Sequence, residues 1–148
     1  MLRALFFLAV FFAGCTYRAE PNSELYLNGF SADEEAEIYA AVSEWNEKAG
    51  TELVIVGRQT GGTIPVLYEG ERNGGEMGKT RLGAVLKVHL WAYPEWSALR
   101  LPKMRQSALH ELGHLLSGAE EHSDDAADVM HWEPTAEHLT PRDVAYIH

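Results

Sequence analysis

The sequence is poor in cysteine: Cys15 is the only one in 148 residues. That excludes an internal disulfide, a zinc site built on several cysteines and an iron–sulfur cluster. Basic residues are also scarce, 12 against 22 acidic, for a formal net charge of −10. With no basic patch in view, a nucleic-acid binder held by phosphate contacts is not expected. There is no internal repeat, no low-complexity segment and no linker that would split the chain in two. No apolar run reaches the roughly 20 residues that span a bilayer. What is present is 46% apolar and 23% charged residues, an ordinary balance for one packed domain. Seven histidines stand out, several of them between residues 110 and 138.

The N-terminus reads as an address. Arg3 supplies a positive start, and Ala4 to Ala13 is an uninterrupted apolar run of secretory-signal length. Phe12-Ala13-Gly14-Cys15 then closes the run with small residues before the single cysteine. This resembles a bacterial lipobox, with Phe12 where leucine is usual. The resemblance implies a signal peptide over residues 1–14, lipid attachment at Cys15 and a tether over 15–23. It also implies an exported protein, membrane-anchored in the bacterial cell envelope. An ordinary signal peptide, with Cys15 incidental, is the alternative.

The domain expected over 24–148 runs strand, helix, several strands, helix, loop, helix. Leu25 and Leu27 alternate in a first strand. Ser31 and Glu34 form a capping box for a helix over 32–49, carrying Ile38, Val42, Trp45 and Ala49 at helical spacing and stopped by Gly50. Strands are expected at Leu53–Val56 and Thr63–Tyr68, the second edge or irregular because of Pro65. Residues 71–80, with Gly74, Gly75 and Gly78, read as an exposed loop, and Leu82–Trp91 as a third, long strand. Pro102 opens a helix that Gly118 ends. Thr140-Pro141-Arg142-Asp143 caps a short last helix.

The second of these helices carries His110-Glu111-Leu112-Gly113-His114. Residues four apart share a helix face, so both imidazoles can bind one Zn²⁺. Glu111 points to the adjacent side, where a carboxylate can act as general base and then acid toward a metal-activated water. Downstream stand His122-Ser123 and, eight residues after His122, Met130. Here the chain resembles the metzincin metalloproteases, most closely the matrixin branch, in which a third histidine, a serine and a methionine on a tight turn follow the helix. Leu139-Thr140-Pro141-Arg142-Asp143 with Ile147 also resembles the opening of that family's last helix. The family has glycine three and histidine six residues after the second motif histidine; here Gly118 is four and His122 eight after His114. Asp124, Asp125, Glu133 and His138 are the competitors for the third ligand, a glutamate pointing to a thermolysin-like set.

The resemblance implies an α+β fold: a twisted mixed sheet with backing helices, an active-site helix, and zinc in a cleft above a small C-terminal subdomain. It makes His110, His114 and His122 the zinc ligands, Glu111 the catalytic residue, and Met130 a turn residue beneath the metal. It also makes the strand Leu82–Trp91 the cleft wall against which an extended peptide or protein substrate would lie. Trp132 is expected in the pocket wall, His131 exposed, His89 structural and Trp45 in the core. Glu120, Glu121, Asp124, Asp125 and Asp128 can hold Ca²⁺ or form a solvated acidic face. The acidic surface favours basic or neutral substrates by steering. The rival to a zinc endopeptidase is a zinc-binding envelope lipoprotein that serves as a binding module without hydrolysing peptides.

Overall fold

The computed structural model describes residues 17–72 and 75–148; the expected signal segment and Cys15 lie outside them. In chain order the elements are β1 (Glu24–Asn28), α1 (Ala32–Ala49), β2 (Val54–Ile55), β3 (Ile64–Glu71), β4 (Gly78–Arg81), β5 (Lys87–Ala92), α2 (Arg100–Ser117) and α3 (Pro141–Tyr146). The strands form one five-stranded sheet in the order β2-β1-β3-β5-β4. All neighbours are parallel except β4, which runs antiparallel to β5. The fold is thus a mixed α/β arrangement with a mostly parallel sheet and helices against it.

Local chemistry accounts for the helix ends. Ser31 Oγ accepts the Glu34 amide, and Glu34 Oε2 accepts the Ser31 amide at 2.9 Å, so both halves of the capping box form. Gly50 takes the left-handed conformation that ends α1. At α3, Thr140 and Asp143 repeat the arrangement. Helix α2 begins at Arg100, two residues before Pro102, and no side chain caps it. Its start is instead tied down by Arg100, whose guanidinium meets Glu34 Oε1 at 2.6 Å and donates to the Tyr93 carbonyl. Pro102 still falls in the first turn, where the missing N–H has no helical partner to lose.

One face of the sheet is buried. Leu25, Leu27, Ile64, Val66, Val88, Leu90 and Ala92 meet Ile38, Val42 and Trp45 of α1 and Met104, Leu109, Leu112 and Leu115 of α2. Burying this alternating set supplies the main driving force for the fold.

Three strand expectations are corrected. The single strand expected over Leu82–Trp91 keeps only its second half, β5; Leu82–Leu86 is the turn of a hairpin whose other strand, β4, begins in the stretch expected as an exposed loop. Gly78-Lys79-Thr80-Arg81 has no apolar alternation because β4 is an edge strand, held by its ladder to β5 rather than by burial. Pro65 lies on β3, which is internal rather than at an edge. It pairs with Tyr26 of β1, but the ladder to β5 begins only at Val66, so the missing N–H falls before that pairing starts. Residues 17–23, expected as a tether, lie against the domain: Ala19 is buried and its amide donates to Leu115 of α2 at 2.8 Å.

Glu44 joins three parts of the molecule. Its buried carboxylate accepts Lys48 Nζ at 2.8 Å, Arg105 Nη2 at 2.9 Å and the Leu139 amide at 2.7 Å, with His138 Nδ1 at 3.2 Å. Burial acts to raise its pKa, but these hydrogen bonds outweigh it and hold the carboxyl at about 2, against an ordinary 4.5. A depressed carboxyl stabilises the fold above its unfolded pKa and loses that contribution as the pH falls toward its folded value. Stability should therefore drop between about pH 5 and pH 2, by an amount on the order of 2–3 kcal/mol from this group. Urea unfolding at stepped pH checks this: Glu44→Gln should be less stable at pH 7 and flatter across that window. An unchanged slope would remove Glu44 as its source.

Candidate active site

Helix α2 presents His110, Glu111 and His114 to one side of the molecule, and the loop after Gly118 returns His122 to them. The metal-binding atoms of the three histidines lie within 4.8 Å of one another. Their ring centroids are 4.7, 4.9 and 5.1 Å apart. Among the described residues this is the group of three or more His, Cys, Asp or Glu side chains close enough to share an ion. His122 stands eight residues after His114, and the loop after Gly118 covers most of that interval.

The competitors for the third position lie elsewhere. His138 meets Glu44, and Asp125 pairs with Arg142 at 3.0 Å. Asp124 is exposed, and Glu133 lines the cleft without joining the cluster. Of the acidic run, Asp128 accepts hydrogen bonds from Ser123, Thr140 and Arg142.

The donor set fits a zinc ion. His110 Nδ1 is 2.7 Å from the Val129 carbonyl, and His114 Nδ1 is 2.8 Å from the Ala119 carbonyl. A carbonyl only accepts, so both Nδ1 atoms carry the proton and both Nε2 atoms present a lone pair. Those two Nε2 atoms face each other at 3.0 Å. Two lone pairs at that distance have no proton between them, and a shared cation is the partner that suits them. Protonation states agree. Burial above all, with His114 and His122 nearby, lowers His110 to about 4. Burial also lowers His114 and His122. Neutral imidazole is the form that binds metal.

Glu111 is 5% exposed. Burial pushes its carboxyl up to about 7, although hydrogen bonds from Thr80 act the other way. The Thr80 hydroxyl is 2.8 Å from both Glu111 Oε2 and the Glu111 carbonyl. Gly78, on the same edge strand, makes room: a Cβ there would stand 2.5 Å from Glu111 Cγ and Oε1.

The histidines and Glu111 line a cleft of about 740 Å³, walled on one side by Gly78, Lys79 and Thr80 and on another by Trp132, Glu133 and Pro134. The cleft wall is therefore β4 and not the expected Leu82–Trp91 stretch, none of whose residues lines the cleft, because β5 is enclosed between β3 and β4. Trp132 is 66% exposed at the rim. His131 is half-buried rather than exposed, its Nδ1 accepting the Glu133 amide at 3.0 Å. His89 stands apart from the cluster and pairs with Glu69 at 2.6 Å. Trp45 is in the core, and its indole N–H donates to the Leu109 carbonyl at 3.0 Å, one residue before His110.

Met130 is 1% exposed and packs on α2 within the motif itself. A Cβ at Gly113 would overlap Met130 Sδ and come within 3.2 Å of Trp45 Cζ2. The glycine between the two histidines thus admits the methionine.

Asp143, like Thr80 and Gly78, is a residue of the site that the sequence did not point to. Its buried carboxylate caps α3 through the Thr140 amide and hydroxyl, at 2.8 and 2.9 Å. The same carboxylate accepts the amides of Val129 at 3.1 Å and Met130 at 2.9 Å. The Val129 carbonyl in turn receives His110. The capping box was visible in the sequence; that its acid also reaches a turn 13 residues upstream was not.

No protein-family model matches the sequence, and no curated protein matches it. The fold and the three-histidine cleft define a mixed α/β protein with a candidate metal centre. Among solved structures, the crystal structure of myroilysin has a similar fold, with a TM-score of 0.60 over 90% of this chain and 85% of that one. Sequence identity is 12%, so the likeness is one of fold.

Proposed function

We propose that the protein is a zinc-dependent endopeptidase of matrixin-like metzincin type. The observation that carries the reading is a buried glutamate next to three convergent neutral histidines in an open cleft. In this reading His110, His114 and His122 hold one Zn²⁺, and Met130 underlies the site. Bound there, Zn²⁺ would supply Lewis acidity toward a water and a scissile carbonyl. Glu111 takes up a proton at its carboxylate and returns it to the departing amine. The Thr80 hydroxyl orients that carboxylate. The unpaired side of β4 offers backbone N–H and C=O groups to an extended peptide.

Export and anchoring at Cys15 belong to the same proposal and rest on the lipobox resemblance. Among the described residues no helix is long and apolar enough to cross a membrane. The binding-module alternative leaves Glu111, buried beside the histidines, without a task.

Purified protein loaded with zinc should cleave a mixed library of unstructured peptides. A chelator should abolish cleavage, and added zinc should restore it. Zinc bound one per chain with no cleavage would favour the binding module; no zinc binding would sink both readings.

A further inference from the structure

His122 is held differently from the other two histidines. His110 and His114 are each oriented through Nδ1 by a backbone carbonyl. His122 is exposed on the loop after α2, and its ring makes no such bond among the described residues. It also sits at the end of a turn two residues longer than that of the family it resembles. An exposed, unanchored imidazole on a lengthened turn loses conformational freedom when it binds a metal, and that loss weakens binding. Its placement must come from the backbone on either side.

Both sides are clamped. The Ser123 amide donates to the Met130 carbonyl at 2.9 Å, fixing the chain after His122 to the methionine turn. The Tyr146 hydroxyl donates to the Glu121 carbonyl, fixing the chain before it. Tyr146 lies on α3, three residues after Asp143 and on the same helix face. Its ring also stands edge-on to His114, with centroids 6.4 Å apart. One short helix therefore grips both parts of the site: Asp143 takes the methionine turn and Tyr146 takes the loop that carries His122.

We propose that Tyr146 is a positioning residue for His122, its phenol pinning the lengthened turn so that the third imidazole faces the other two. The inference rests on the zinc-site reading above. Arg142 and Asp128 support it indirectly: Asp128 accepts Ser123 Oγ at 2.6 Å and Arg142 Nη1 at 3.1 Å, which holds the far side of the loop to α3. The phenol is the tie to the near side.

The test is a double-mutant cycle read by zinc affinity, measured by chelator competition. Tyr146→Phe keeps the ring beside His114 and removes only the hydroxyl. It should weaken zinc binding about 10- to 100-fold, leave the melting temperature of the zinc-free protein unchanged, and alter the visible spectrum of the cobalt-substituted protein. On a His122→Ala background the same change should have no further effect, because the side chain it positions is gone. Equal zinc affinity in Tyr146→Phe and the unmodified protein would overturn the role. So would an equal loss on both backgrounds, since the phenol would then act on the fold as a whole. If the unmodified protein binds no zinc, the site reading falls and this role with it, an outcome distinct from the other two.

Discussion

Replacing Glu111 by glutamine should lower peptide turnover by about 10²- to 10⁴-fold, the usual contribution of a positioned acid–base group, with zinc still bound one per chain. Glutamine has nearly the shape of glutamate and can accept the Thr80 hydroxyl through its amide oxygen, so the hydrogen bond at 2.8 Å can survive. Gly78 leaves room for either side chain. What glutamine cannot do is take up a proton. The loss should therefore fall on kcat and leave KM nearly unchanged. Steady-state cleavage together with zinc stoichiometry decides the matter. A variant within a few-fold of the parent would remove Glu111 as the base. A variant that loses its zinc would make Glu111 part of the metal site instead.

Replacing Asp143 by alanine should cost about 3–5 kcal/mol, because several buried backbone donors lose their carboxylate acceptor at once. The carboxylate accepts four hydrogen bonds, three from backbone amides and one from the Thr140 hydroxyl. Without it the Val129 and Met130 amides are left buried and unpaired, at about 1–3 kcal/mol each. For a domain of this size the melting temperature should fall by roughly 10 °C. The effect should not stop at stability. The Val129 carbonyl orients His110, so zinc affinity should fall as well, and Asp143→Asn should lie between. A melting temperature within about two degrees of the parent would show that the methionine turn holds itself in place without Asp143.

The parts legible in the sequence are those written in nearest neighbours. Ser31 and Glu34, or Thr140 and Asp143, announce a helix start because the donors and acceptors that satisfy one another are three residues apart. Gly50 and Gly118 end their helices by a local backbone preference. His110 and His114 share a face because α-helical geometry puts residues four apart one above the other. The stretch from Gly78 to Leu86 does not announce its strand and turn, because an edge strand is held by a ladder to a partner and its side chains carry no period that reports it. Pro65 misleads for a related reason: a proline is excluded from a ladder only where its N–H would have been used, and that depends on where the neighbouring strand begins.

By itself, the sequence determined two zinc-competent histidines on one helix face, a glutamate beside them, and the order of helices and strands that carries them. All of this follows from short-range geometry. Tertiary structure brought His122, already favoured by its offset to Ser123 and Met130, to the other two histidines ahead of its competitors; it alone decided that Thr80 and Gly78 shape the space around Glu111, and that Asp143 and Tyr146 brace the site from α3. The long-range contacts of Thr80, Gly78, Asp143 and Tyr146 join residues 13 to 33 positions apart, and no periodicity records them. They exist because burying one apolar sheet face against two helices brings β4, the methionine turn and the last helix to the same end of α2.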